Sequence, residues 1–94
     1  MNFIRIVILN YNSSQYTLDI IIYLESQTFQ NFEIVVVDNA SDKIESELLK
    51  LSLPKSIKCI YSKINLGYSG GNNLGMRLIT NNEPDFYFIL NNDM

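Results

Sequence analysis

Four short runs of nearly continuous apolar residues recur along the chain: Phe3-Ile4-Arg5-Ile6-Val7-Ile8-Leu9, Phe32-Glu33-Ile34-Val35-Val36-Val37, Ile57-Lys58-Cys59-Ile60-Tyr61 and Phe86-Tyr87-Phe88-Ile89-Leu90. Strands of this kind are buried on both faces, so they belong to a parallel sheet covered by helices. The segments between them are long enough to carry crossover helices. Helices are expected over residues 14–28, 43–52 and 71–81. Residues 14–28 include Ile20-Ile21-Ile22, which favours strand, but the chain has to return there to start a parallel neighbour. For residues 43–52, Asp42 and Glu45 resemble a capping box, Ile44, Leu48 and Leu51 line one face, and Pro54 stops the run. The third helix is entered through glycines. Gly75 within it costs about 1 kcal/mol relative to Ala, for which close packing of helix on sheet is the expected reason. Right-handed crossovers then give strand order 3-2-1-4, with the third strand near an edge and the switch point between strands 1 and 4. The expected class is α/β, a three-layer Rossmann-like half-sheet.

Composition narrows the function classes. Ninety-four residues make one domain, and 47% hydrophobic residues fit a globular one. The net charge of -3 argues against nucleic acid, which needs a concentrated basic patch. A phosphate ligand stays open, because backbone N–H groups and a metal can supply the positive field. No apolar run approaches the ~20 residues that span a bilayer, and no secretion signal is expected at the N-terminus. One cysteine excludes an internal disulfide, and Cys59 reads as a small core residue. The absence of histidine excludes Ser-His and Cys-His catalysis and a histidine-rich zinc site.

Ligands of such sheets sit beyond the carboxyl ends of the strands. Polar residues cluster there: Asn10-Tyr11-Asn12 after strand 1, Asp38-Asn39 after strand 2 and Asn91-Asn92-Asp93 after strand 4. The loop Asn65-Leu66-Gly67-Tyr68-Ser69-Gly70-Gly71-Asn72-Asn73 joins them on the same side. Each has a bland reading beside a functional one. Asp38 is a turn or cap residue, or an acceptor for a base N–H or ribose hydroxyl. Tyr11 is a packing aromatic or a platform for a nucleobase. Asn10 and Asn12 are turn formers or caps, or ligand contacts. Gly70 and Gly71 answer a need for positive φ, or present N–H groups to a ligand at a helix N-terminus. Asn72 and Asn73 are first-turn residues, or sugar and base contacts. Asp93 is a loop residue or a ligand for Mg²⁺ or Mn²⁺, with diphosphate oxygens and waters completing the shell. The loop after strand 1 lacks the glycines of a dinucleotide fingerprint, and no P-loop motif is present.

Assembled in this order, Val7-Ile8-Leu9-Asn10-Tyr11-Asn12, Glu33 through Asp42, Asn65 through Gly75 and Leu90-Asn91-Asn92-Asp93 resemble the inverting family 2 glycosyltransferases of the GT-A fold. The likeness extends to the rhamnosyl- and galactosyltransferase-like branch that builds bacterial surface polysaccharides. It implies that Asn10, Tyr11, Asn12, Asp38, Asn39, Gly70, Gly71, Asn72, Asn91 and Asn92 bind the nucleotide of a UDP- or dTDP-sugar. Asp38 is implied to accept a hydrogen bond from the uracil or thymine ring. Asp93 matches the last aspartate of the family's D-x-D motif and is implied to hold the divalent cation, Mn²⁺ or Mg²⁺, together with the diphosphate. Asn91 stands where that motif has its first aspartate, which removes one charge.

The resemblance makes residues 1–94 the nucleotide-sugar-binding part of a longer transferase, ending just after the D-x-D-like motif. The catalytic base and the site for the saccharide acceptor are then expected downstream, and the chain alone is expected to be inert. The expected location is the cytoplasm, or the inner face of the membrane in a longer enzyme. An alternative is a non-catalytic nucleotide-binding or assembly module, self-associating through a sheet edge left open beside strand 4. A sugar nucleotidyltransferase is a further alternative, although the basic glycine-rich loop such enzymes carry after strand 1 is absent.

Overall fold

A computed structural model describes residues 2–91; Asn92 and Asp93 lie outside the described residues. The strands are β1 (Ile4–Asn10), β2 (Phe32–Asn39), β3 (Lys58–Ser62) and β4 (Phe86–Asn91). The helices between them are α1 (Ser14–Glu25), α2 (Lys43–Ser52) and α3 (Gly67–Arg77). The sheet has order β3-β2-β1-β4 and every pairing is parallel. This is the expected 3-2-1-4 half-sheet. Asn10 pairs with Asp38 and Leu9 with Asn91, so the polar ends of three strands lie side by side.

Alternation along the strands divides the core into two layers. Ile6, Ile8, Ile34 and Val36 pack with Leu18 and Ile21 of α1 and Leu49 of α2. Val7, Leu9 and Val37 face α3, with Leu74, Met76 and Ile89 against them. Cys59 packs at the margin of the first layer, and its burial pushes the thiol pKa up to about 11.

Arg5 interrupts the apolar run of β1 and is 1% exposed. Its Nε donates to Glu33 at 2.7 Å. Its Nη1 donates to the carbonyls of Gly75, Met76 and Leu78, and Nη2 donates to Thr80 Oγ1. The guanidinium thus closes the C-terminus of α3, where unpaired carbonyls and the helix dipole favour a cation.

Three sequence expectations change. The third helix begins at Gly67, not residue 71, so Gly70 and Gly71 lie inside it. The positive φ belongs to Gly67, at 73°. The helix starts early because Asn39 fixes the turn before it, and it ends early where Arg5 takes its last carbonyls. In α2 the buried residue is Leu49, whereas Ile44 and Leu51 are 80% and 87% exposed. Asp42 makes no side-chain capping bond; Glu45 instead accepts the backbone N–H of Ser14 at 3.0 Å, tying α2 to the start of α1. Finally, β4 is not buried on both faces: Phe86, Tyr87 and Phe88 are 46–55% exposed. Among the described residues, α3 packs chiefly on β1 and β2 rather than on β4.

Candidate functional site

The carboxyl rim is built around two buried amides and one buried carboxylate. Asn10 closes β1. Its Nδ2 donates to Asp38 Oδ1 at 3.1 Å, to Ser14 Oγ at 3.2 Å and to Ser41 Oγ at 3.4 Å. Its Oδ1 accepts from Thr17 Oγ1 at 2.7 Å. Asp38 is 2% exposed and also accepts from Ser41 Oγ. Both bonds fall on Oδ1. A carboxyl group withdrawn from water needs hydrogen-bond donors in place of the water it lost, and here amide and hydroxyl supply them.

The next residue faces the other layer. Asn39 Nδ2 donates to Asn65 Oδ1 and to the Gly67 carbonyl, both at 3.1 Å, and its Oδ1 accepts from Leu66 N–H at 2.9 Å. Asn65 Oδ1 also accepts from Gly67 N–H. One side chain therefore positions the turn that leads into α3. Strand alternation puts Asp38 on the α1–α2 side of the sheet and Asn39 on the α3 side.

Asn12 has a φ of 50° and holds the first loop to the second. Its N–H donates to Ser41 Oγ at 2.9 Å, and its Oδ1 accepts from Asp42 N–H at 2.8 Å. Tyr11, between these anchored asparagines, is half exposed. Gly71 packs against Leu9 and Asn39, and Gly75 against Val7 and Val37. A Cβ on Gly75 would meet Val7 Cγ1 at 2.5 Å, so close helix–sheet packing is its reason. Asn72 is buried, and neither of its side-chain polar atoms has a hydrogen-bond partner. Asn91 pairs with Leu9 and lies on the α3 side.

Asn10, Tyr11, Asn12, Asp38, Asn39, Gly71 and Asn91 are thus gathered at one end of the sheet. Asn10 and Asn39 spend both ends of their amides on neighbouring groups of the fold, and Asn12 spends its Oδ1. Ser14, Thr17, Ser41 and Glu45 complete the rim and had not been singled out. Their sequence signal is weak, since Ser and Thr near helix starts are ordinary. Among the described residues no group of three acidic, histidine or cysteine side chains could hold a metal. The candidate metal ligand Asp93, and Asn92 beside it, lie outside the described residues. A cleft of about 450 Å³ opens at the opposite, amino end of the strands, lined by Glu33, Lys58, Thr80, Asn81 and Asn82.

Residues 5–94 match the family described as glycosyl transferase family 2. The chain belongs to this family. A glycosyltransferase of Haemophilus influenzae, described as uncharacterized, is 36% identical over 75 residues, covering 78% of this chain and 23% of that protein. The crystal structure of Staphylococcus aureus TarS 1-349 superposes with a TM-score of 0.73 at 24% identity, covering 97% of this chain and 27% of that one. This family 2 chain therefore spans about a quarter of the length of both proteins, and its fold is the Rossmann-like half of GT-A.

Proposed function

We propose that the chain binds the nucleoside diphosphate of a UDP- or dTDP-sugar, as the donor-binding part of an inverting glycosyltransferase that acts on a saccharide acceptor in surface-polysaccharide synthesis. The observation that carries this reading is Asp38, a buried carboxylate held at the carboxyl rim by Asn10 and Ser41. With both bonds on Oδ1, Oδ2 is the oxygen that accepts a ring N–H from the base. Tyr11, half exposed and following Asn10 in the chain, supplies an aromatic face for the base. The N-terminus of α3, positioned by Asn39, adds backbone donors on the same rim.

Asp93 is the residue proposed to hold Mn²⁺ or Mg²⁺ together with the diphosphate. Such a cation neutralises charge on the departing diphosphate. The chain's own part is to fix the donor so that its anomeric carbon is open to the acceptor hydroxyl. Deprotonation of that hydroxyl needs a general base, a role proposed for none of the residues named here. The proposed setting is the cytoplasm or the inner face of its membrane.

Calorimetric titration with UDP and dTDP, with and without Mn²⁺, tests the reading. Asp38→Ala is expected to weaken binding about 10- to 100-fold, the loss of a hydrogen bond to a charged group. Asp93→Ala is expected to abolish the enhancement by Mn²⁺. Metal-independent, equal binding of every nucleotide would overturn it. A second reading, an assembly module, is favoured by one observation, the exposed aromatic residues of β4.

A further inference from the structure

We propose that the outer groove between α1 and α2 is a docking surface for a basic amphipathic helix of another protein. Ile44, Leu48 and Leu51 recur at i, i+4 and i+7 along α2 and form an apolar stripe. The core takes Leu49 instead, so the stripe faces outward, with Ile44 80% and Leu51 87% exposed. On α1, Ile22 is 67% exposed. Neither Ile22 nor Leu51 belongs to either layer of the core. The two helices are tied at their N-terminal ends, where Glu45 Oε1 accepts the Ser14 N–H and the Glu45 carbonyl accepts the Ser14 hydroxyl. Farther along, a cleft of about 300 Å³ opens between them, lined by Leu18, Ile22 and Glu25 of α1 and by Leu48, Ser52 and Pro54.

Charge selects the occupant. The acids of α1, Asp19 and Glu25, stand one helical turn on either side of Ile22, and α1 carries no cation. On α2, Glu47 stands three residues after Ile44 and four before Leu51. Among the described residues, none of these three acids is in an ion pair. The cations of α2 lie off the stripe. Lys50 sits over the Tyr61 ring of β3 at 4.8 Å, and Lys43 shares that flank two turns earlier. Lys55 follows Pro54, beyond the end of the helix.

An apolar floor between acidic walls fits a helix whose apolar stripe is flanked by Lys or Arg. A second copy is a poor occupant, because its own groove would set acid against acid. The same charges repel an anionic lipid surface, which recruits basic helices rather than acidic ones.

The test uses two synthetic helical peptides of about 14 residues, or four turns. One has leucine at heptad spacing among lysine and alanine; the other has glutamate in place of every lysine. Each is titrated into the isotope-labelled full chain and followed by amide chemical shifts. The lysine peptide is expected to bind at least about tenfold more tightly than the glutamate peptide, with shifts concentrated in α1 and α2. Ile22→Ser and Leu51→Ser are each expected to weaken it about 5- to 10-fold. Glu25→Lys combined with Glu47→Lys is expected to reverse the preference toward the glutamate peptide. Phe88→Ser, which alters the apolar surface at β4, is expected to leave binding unchanged. Should a serine variant fail to fold, the shift map on wild type and the charge-reversed variant carry the comparison. Absence of binding, equal binding of both peptides, or a dependence on Phe88 rather than on Ile22 and Leu51 would overturn the inference. So would binding to phosphatidylglycerol vesicles that Leu51→Ser abolishes, since the face would then be a membrane surface. UDP affinity is expected to be the same in all these variants, so failure here leaves the donor-binding reading standing.

Discussion

Arg5 shows how one residue can fasten two layers. A guanidinium in the interior is costly to desolvate, and it persists only when its donors are met. Glu33, three carbonyls of the α3 terminus and Thr80 meet them. Arg5→Met removes the cation but strands Glu33 and those carbonyls. The expected loss is about 3–5 kcal/mol, read from denaturant unfolding, a large part of the ~5–15 kcal/mol that holds a domain together. Cys59 gives a pH dependence. Burial raises the thiol from 9.0 to about 11 in the folded chain, so the unfolded chain ionises first as pH rises. The unfolded state then releases to solvent a proton that the folded state keeps, and stability falls from about pH 9 upward. The expected loss by pH 10 is about 1 kcal/mol. Cys59→Ala is expected to remove that slope in thermal melts taken between pH 8 and pH 10. The burial of Cys59 was legible from its apolar neighbours. The role of Arg5 was not, because a single cation in an apolar strand says nothing of the helix end it will reach.

At the scale of elements, α2 and α3 mark where periodicity succeeds and fails. The bounds of α2 were readable, since Pro54 and the polar start fix them. Its buried face was not. Ile44, Leu48 and Leu51 share a stripe, but the helix is rotated so that Leu49 enters the core. Leu49→Ala is expected to cost about 2–5 kcal/mol, whereas Leu51→Gln is expected to change stability by less than about 0.5 kcal/mol. The reverse order in chemical denaturation would show that the helix turns its other face inward. In α3, Gly75→Ala sets a helix-propensity gain of about 1 kcal/mol against a clash with Val7. Val7 is β-branched and stiff, and Val37 Cγ2 stands 3.1 Å from the same point, so the clash wins. A net loss of about 1–2 kcal/mol is expected, with α3 lifted from the sheet. Gly70 looked like a loop residue because propensity disfavours glycine in a helix, whereas the packing role of Gly75 was readable; for Gly71 the approach of α3 to Leu9 and Asn39 supplies the reason.

For the whole molecule, β4 decides how the domain meets others. Phe86 and Phe88, each 55% exposed, stand beside Ile4 and Ile6 on the α1 side, where a cleft of about 290 Å³ reaches Phe29 and Phe32. Apolar surface beside an open strand favours association. We therefore expect concentration-dependent sedimentation of the chain, and Phe88→Lys is expected to shift it to monomer without loss of helical signal. A clean monomer at high concentration would remove the assembly reading. The strand order, the parallel pairing and the gathering of polar ends at one rim followed from sequence, because strand spacing, burial pattern and crossover handedness leave few topologies. The family was legible too, since four motif segments keep one order along the chain. Which polar groups are occupied and which stand unpaired was settled only by tertiary structure. Asn10, Asn39 and Asn72 are alike as letters, and their hydrogen bonds depend on which helix ends and loops the fold brings within about 3 Å of each.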